Sequence, residues 1–135
     1  MAEDKTKFEL VSPEELLISE EVEMVVVPGG DGDFGAMVRH APLISSVRPG
    51  VIQVHDGGSV KERIFVAGGF AEVTPERCTV LAEVAEPVED IDRSKTEQEL
   101  KDAREDYEDA KEDRERDEAE NRIKVLEAKL AAASS

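Results

Sequence analysis

The chain has 135 residues, of which 33 are acidic and 17 basic, so its formal net charge at pH 7 is −16. A chain this acidic lacks the positive surface that holds a nucleic-acid backbone or an anionic membrane. Its apolar runs are far shorter than the roughly 20 residues of a membrane-spanning helix. The start, Met1–Lys5, has no apolar stretch typical of a signal peptide, and the single cysteine, Cys78, excludes an internal disulfide. We therefore expect a soluble protein of a reducing compartment.

Composition changes sharply near Asp90. All nine glycines and all six prolines precede this residue, and residues 91–135 contain neither. Glycine and proline punctuate short strands and turns, whereas their absence permits long helices. The sequence therefore predicts two domains, one over residues 1–88 and one over residues 89–135.

Short apolar stretches bounded by turn signals predict β-strands in the first domain. In sequence order they are residues 8–11, 16–18, 22–27, 36–38, 43–47, 51–54, 64–67 and 79–84. The sequence 56–59, Asp-Gly-Gly-Ser, predicts a hairpin, and Gly68-Gly69 predicts another turn. Many short strands with few aromatic residues indicate a thin sandwich or a barrel.

The second domain has the periodicity of helices. Asp92 and Ser94 are both good N-cap residues, and Ser94–Glu97 fits a capping box. Apolar residues at spacings of three and four form two stripes: Leu100, Ala103, Tyr107 and Ala110, then Ala119, Ile123, Leu126 and Leu130. The stripes are out of phase, which favours an antiparallel hairpin with a bend near residues 113–117. One long helix is the alternative.

A search for chemistry finds no complete catalytic or metal-binding set. His40 and His55 are too few and too far apart in sequence for a zinc site. Cys78 has no evident base, so we expect a small buried residue. The glycine-rich stretch 29–35 lacks the lysine and hydroxyl of a phosphate-binding loop and the ligand spacing of an EF-hand. These patterns predict a β module with a helical appendage that acts by binding rather than by catalysis.

Several motifs together resemble the epsilon subunit family of rotary F-type ATP synthases. They are Phe8–Glu14, Gly32–Gly35, His40-Ala41-Pro42-Leu43, Val47–Gly50 and Phe65–Val73. The resemblance covers essentially the whole sequence. It implies a mainly β fold with a helical appendage, in which a flattened ten-stranded β-sandwich precedes a C-terminal antiparallel two-helix hairpin.

The resemblance also implies a function and partners. The protein would be a non-catalytic subunit of the central stalk that couples rotation of the c-ring to the gamma subunit. It would lie at the cytoplasmic face of the bacterial inner membrane, bound peripherally. By position, c-ring contacts are expected from Asp31, Asp33 and Phe34, and gamma contacts from Ser12, His40, Ala41 and Pro42.

In this family the hairpin can fold against the sandwich or extend toward the catalytic alpha and beta subunits and block ATP hydrolysis. Candidate inhibitory residues are the bases of the second helix: Arg114, Arg116, Arg122, Lys124 and Lys129. Because the tail is net acidic, we expect weaker inhibition than in a basic-tailed relative.

Two positions depart from the family pattern. Met37-Val38-Arg39 stands where Tyr-Pro-Gly commonly precedes His-Ala-Pro. The nucleotide motif of some members, Ile-Asp-x-x-Arg-Ala, matches at Ile91 and Asp92, but Lys95 replaces the arginine. Lysine keeps the charge and loses the bidentate fork. We therefore expect no ATP binding and no other cofactor.

Two other classes of protein fit parts of the sequence. One is a free-standing interaction module built from a β-sandwich and a coiled coil, which would not bind gamma. The other is a small hydrolase that uses Asp31, Asp33 and His40. The second lacks a full nucleophile, base and orienting group.

Overall fold

A computed structural model describes residues 4–134. Residues 1–3, which belong to the start considered above for a signal peptide, and residue 135 lie outside the described residues. The protein divides into two compact units, with the boundary between Pro87 and Val88. Among the described residues, no helix combines the length and the apolar content needed to cross a membrane.

The first unit is a β-sandwich with eight strands in the described residues. They are β1 Thr6–Val11, β2 Leu16–Val22, β3 Met24–Gly29, β4 Gly32–Ala36, β5 Leu43–Ser46, β6 Gly50–Asp56, β7 Ser59–Val73 and β8 Arg77–Pro87. Their order is β2-β1-β8-β7-β6-β3-β4, and β5 pairs with β7. The β1–β8 pair is parallel, and the other pairs are antiparallel. The predicted fold class, mainly β with a helical appendage, is confirmed.

Two long strands belong to both layers of the sandwich. In β7, Ser59–Val66 pairs with β6, and Phe70–Val73 pairs with β5. In β8, Arg77–Leu81 lies between β1 and β7, whereas Val84–Pro87 pairs with the first half of β7. The structure therefore has eight strands where the family resemblance implied ten, because β7 and β8 each run through both layers as a single strand.

The core lies between the layers, where alternate side chains of each strand point inward. Fully or almost fully buried apolar residues come from strands of both layers, and include Phe8, Leu10, Val25, Val27, Ile52, Val54, Val66, Val73 and Val80. Cys78 is part of this core. The sandwich therefore has one continuous apolar interior.

The predicted turn at Gly68-Gly69 is wrong, because β7 continues through both glycines. Their φ angles are 73° and 97°, values that residues with a side chain rarely adopt. A Cβ atom on Gly69 would lie 1.8 Å from the carbonyl oxygen of Leu81. The glycines thus allow β7 to bend where it passes from one layer to the other, while its register with β8 stays unchanged.

The structure confirms one predicted hairpin and contradicts one predicted strand. The predicted hairpin at residues 56–59 is confirmed, with φ of 66° at Gly57 and 81° at Gly58, as in a type I′ turn. The predicted strand 36–38 is wrong, because β4 ends at Ala36 and residues 37–42 form a loop.

The second unit is a helical hairpin. A 3-10 turn over Val88–Asp90 precedes α1 Arg93–Asp109 and α2 Asp113–Ser134. The bend occupies residues 110–112, slightly before the predicted position, and excludes one long helix. Leu100, Ala103 and Leu126 form the buried seam between the helices, and Tyr107 is 41% exposed rather than in the seam.

We predict that Gly69→Ala destabilises the sandwich by about 3 kcal/mol or more, since the backbone of β8 must move and φ is unfavourable. Gly57→Ala is the matched control, because its φ is also positive but nothing lies within 4 Å of a new Cβ atom. It should cost only about 1 kcal/mol. Calorimetric unfolding of both variants measures the difference. Equal losses of stability in the two variants would show that Gly69 is not an obligatory glycine site.

Candidate functional site: protein-contact surfaces

The first predicted contact region is a tight β-hairpin rather than a glycine-rich loop. Only Gly30 and Asp31 separate β3 from β4, so Asp33 and Phe34 lie on a strand. Asp33 forms an ion pair with Arg48, which also donates a hydrogen bond to the carbonyl oxygen of Gly29. We call this region, residues 30–33 with Arg48, the turn surface.

The three predicted c-ring residues have different environments. Asp31 is exposed, and within residues 4–134 its side chain has no ion pair or hydrogen bond. Asp33 is 62% exposed but bound to Arg48. Phe34 is half-buried, packs on the core and lies over Gly29, where a Cβ atom would come within 3.0 Å of its ring. Asp31 is therefore the carboxylate most available to a partner.

The second predicted region is the loop 37–42. Arg39 donates its backbone N–H to Pro75 at 2.7 Å, and the N–H of His40 donates to Met37 at 3.1 Å. The ring of His40 contacts the carbonyl oxygen of Ala41 at 2.6 Å, while Ala41 and Pro42 are exposed. These hydrogen bonds fix the loop on the end of the sheet.

Arg39 is the only non-glycine residue with a positive φ, 66°, among residues 4–134. The conformation is the one that glycine adopts without strain, and the family pattern has glycine there. Arginine adopts this conformation here at a cost of about 1–2 kcal/mol.

Ser12 lies apart from the other predicted gamma contacts. It follows β1 and forms a local turn, with its hydroxyl 3.3 Å from both the N–H and the carbonyl oxygen of Glu15. Its neighbour Val11 is aligned with Leu81, whereas the loop 37–42 leads into Leu43, which is aligned with Val73. The two sites are thus at opposite ends of one sheet layer.

An exposed apolar surface lies between these two sites, and sequence reasoning missed it. The strand register aligns Ser46, Phe70, Leu81, Val11 and Leu16 across five neighbouring strands. These positions point away from the core, because their neighbours Ala71, Val80 and Leu10 are buried. Ile44 lies two positions along β5 and is 71% exposed.

We call Val11, Leu16, Ile44, Phe70 and Leu81 the outer face. Phe70 is 51% exposed, and Leu16 is 54% exposed. An ion pair between Arg77 and Glu9, at 3.5 Å, borders the face on the side of the loop 37–42. A contiguous apolar patch with a polar border is typical of a protein-binding surface.

The hypothetical hydrolase site is not assembled. Asp33 is aligned with Pro28 at one end of β4, whereas His40 follows the other end of that strand. Cys78 is buried, and burial raises the pKa of its thiol to about 12, so it stays protonated at neutral pH. In the part of the protein that the structure describes, no three His, Cys, Asp or Glu side chains are grouped as metal ligands.

Two family models match the sequence. The one described as ATP synthase, Delta/Epsilon chain, beta-sandwich domain matches residues 5–88. The one that describes the C-terminal domain of the ATP synthase epsilon chain matches residues 92–135.

The chain belongs to the ATP synthase epsilon chain family.

Relatives named ATP synthase epsilon chain agree with this assignment. The protein of Paramagnetospirillum magneticum is 55% identical over 96% of this chain and 97% of its own length. That of Rhodospirillum rubrum is 57% identical over 96% of each. The predicted identity and function are confirmed: the protein is a central-stalk subunit of an ATP synthase and not a catalytic one.

Solved structures share the fold. One subunit in the cryo-EM structure of the Euglena gracilis mitochondrial ATP synthase, OSCP/F1/c-ring, has a TM-score of 0.83 and 25% identity, and the match covers 98% of this protein and 82% of that subunit. A subunit of the Tetrahymena thermophila central stalk/c-ring structure has a TM-score of 0.63 at 12% identity, with a match over 97% of this protein and 98% of that subunit.

The bases of the epsilon hairpin are largely paired with acids. Ion pairs join Arg114 to Glu118 at 3.7 Å, Arg116 to Asp113 at 2.6 Å, Arg122 to Glu99 at 3.9 Å and Lys124 to Glu120 at 3.4 Å. Lys129 lies further along α2. An acidic partner would have to compete with these intramolecular acids.

The altered nucleotide motif forms the start of α1. Asp92 is the N-cap residue and accepts a hydrogen bond from the N–H of Lys95 at 3.0 Å. Thr96 is buried and donates its hydroxyl to the carbonyl oxygen of Asp92 at 2.8 Å, while Ile91 is half-buried. The capping box predicted at Ser94 is therefore wrong, and Asp92 has a structural role in this epsilon subunit.

We predict that Asp92→Ala destabilises the hairpin by about 1 kcal/mol, because an N–H of the first turn loses its acceptor. Ser94→Ala is the matched control and should change the stability of the hairpin by less than about 0.5 kcal/mol. Thermal unfolding followed by helical circular dichroism measures both variants. A larger loss of stability for Ser94→Ala than for Asp92→Ala would show that Ser94, and not Asp92, caps the helix.

Proposed function

We propose that this subunit links the c-ring to the gamma subunit in the central stalk, with the turn surface facing the c-ring and the outer face on gamma. The subunit would lie at the cytoplasmic face of the bacterial inner membrane. The observation that carries the proposal is the exposed outer face, flanked at its two ends by the predicted gamma contacts. A partner that touches both Ser12 and Pro42 must cover it.

The two proposed contact surfaces are joined by backbone hydrogen bonds. Gly30 in the turn donates its N–H to the carbonyl oxygen of Ser46 at 2.9 Å, and Val47 donates to Gly69 at 3.1 Å. Ser46 is in register with Phe70 of the outer face. A displacement of the turn surface would therefore move the outer face with it, as coupling of rotation requires.

The charges of the turn surface suit a basic partner. Asp31 is exposed at the tip, and Asp33 already binds one guanidinium, that of Arg48. Such a rim contact sets orientation more than affinity, because exposed ion pairs are worth about 0–1 kcal/mol. The apolar outer face would supply most of the binding free energy.

We predict that Phe70→Ser with Leu81→Ser weakens binding to purified gamma at least tenfold, since burial of two large apolar side chains is worth about 3 kcal/mol or more. Val60→Ser is the matched control, because Val60 is 43% exposed on β7 but lies outside the outer face. Isothermal titration calorimetry with the full-length protein measures both. If the double variant binds as wild type does, gamma uses another surface. If wild type fails to bind gamma, the proposed contact between this subunit and gamma fails.

We propose, second, that the hairpin is a weak inhibitor of ATP hydrolysis. A truncation to residues 1–90 should still bind gamma, since its core is separate from the helical seam. In the reconstituted complex, the full-length subunit should slow hydrolysis less than about fivefold relative to the truncation, because its bases already have acidic partners worth about 0–1 kcal/mol. Loss of gamma binding on truncation, or much stronger inhibition of hydrolysis, would contradict the assignment of gamma binding to the sandwich and of weak inhibition to the hairpin.

A further inference from the structure

Two glutamates point into the sandwich at its β2 edge. Glu20 on β2 is in register with Phe8, and Glu62 on β7 is in register with Val54. Phe8 and Val54 are fully buried, so both glutamates occupy core-facing positions, one on each layer. Acids at such positions require partners or protonation.

The hydrogen bonding of this pair is incomplete without a proton. Oε1 of Glu20 and Oε2 of Glu62 are buried, and neither accepts a hydrogen bond. The other oxygen of Glu20, Oε2, binds Nζ of Lys61 at 3.1 Å. A proton held between the two carboxyl groups would give each of the unsatisfied oxygens a partner.

The surrounding charges leave one carboxylate in excess. Besides Glu20 and Glu62, the cluster contains Asp56 at the end of β6, which pairs with Lys5 at 3.1 Å. Lys61 on β7 is the second base, and the negative charges of Glu20, Glu62 and Asp56 all raise its pKa. Arg63 follows Glu62 on β7, so its side chain lies on the opposite face of the strand. Three acids and two bases become neutral when one proton is bound.

Burial is the main cause that raises the pKa of Glu62 above its ordinary value, and the charge and hydrogen bonding of Glu20 raise it further. Lys61 lowers it, but by less. A group whose pKa is raised on folding stabilises the folded state below its unfolded pKa. This stabilisation is lost as the pH rises through the folded pKa.

We propose that Glu20 and Glu62 share one proton in the folded protein, and that release of this proton at higher pH loosens the β2 edge of the sandwich. Two facing carboxylates then repel each other across the layers. The proposal concerns the sandwich itself and does not depend on which partner binds the outer face.

The test compares full-length wild type with Glu62→Gln, which keeps the shape and a hydrogen-bond donor without the charge. Between pH 5 and pH 8, the melting temperature of the variant minus that of wild type should rise by about 3 °C or more, since 1 kcal/mol shifts a small domain by several degrees. Glu72→Gln is the control, because Glu72 is exposed on the same strand. Its difference from wild type should stay constant.

Hydrogen exchange locates the effect. Relative to Glu62→Gln, the β2 amides of wild type should lose protection at least about threefold from pH 5 to pH 8, while β3 amides should not. A melting-temperature difference that is independent of pH, or a change shared by Glu72→Gln, overturns the proposal. If Glu62→Gln does not fold, carbon-13 titration of wild-type glutamate carboxyls decides: a carboxyl that titrates clearly above 4.5 supports the shared proton, and its absence refutes it.

Discussion

Pairing between β7 and β8 is the interaction on which the sandwich depends. Their register is constant from Ile64 with Pro87 to Val73 with Cys78, and only the pair of Gly68 with Glu83 is missing from the ladder. One half of this ribbon carries β6 and β3, and the other half carries β1 and β5. The two layers are therefore one sheet that folds back on itself, and its bend requires the positive φ of the glycine pair.

Much of this fold could be predicted from the sequence, because its local signals are strong. The apolar stretch 51–54, the hairpin signal at residues 56–59 and the stripes of the two helices all predict elements that the structure has. The turn predicted at Gly68-Gly69 is wrong because positive φ serves a bend within a strand as well as a reversal of the backbone. Only pairing with β8, which is distant in sequence, distinguishes the two.

The contact surfaces were harder to predict, for the same reason. Phe70 and Leu81 look like core residues in a sequence pattern, and their outward direction follows from the register with Ala71 and Val80 inside. The ion pair of Asp33 with Arg48 joins residues on different strands. Asp92 matches a nucleotide motif in the sequence, but an aspartate is equally common as the N-cap residue of a helix, which is its role here. Long-range geometry decides the direction of Phe70 and Leu81 and the partner of Asp33, whereas the role of Asp92 is decided by local hydrogen bonds to Lys95 and Thr96.

The continuous course of β7 has a mechanical consequence. In a sandwich whose layers meet only through side-chain packing, a load applied to one layer is resisted by apolar contacts, which slide readily. Here the load passes along the covalent backbone of β7, from its first half, which pairs with β6, to its second half, which pairs with β5. Shear between the layers must stretch a polypeptide backbone, so the sandwich is stiff, and its weakest parts are the strands that pair on one side only, β2, β4 and β5.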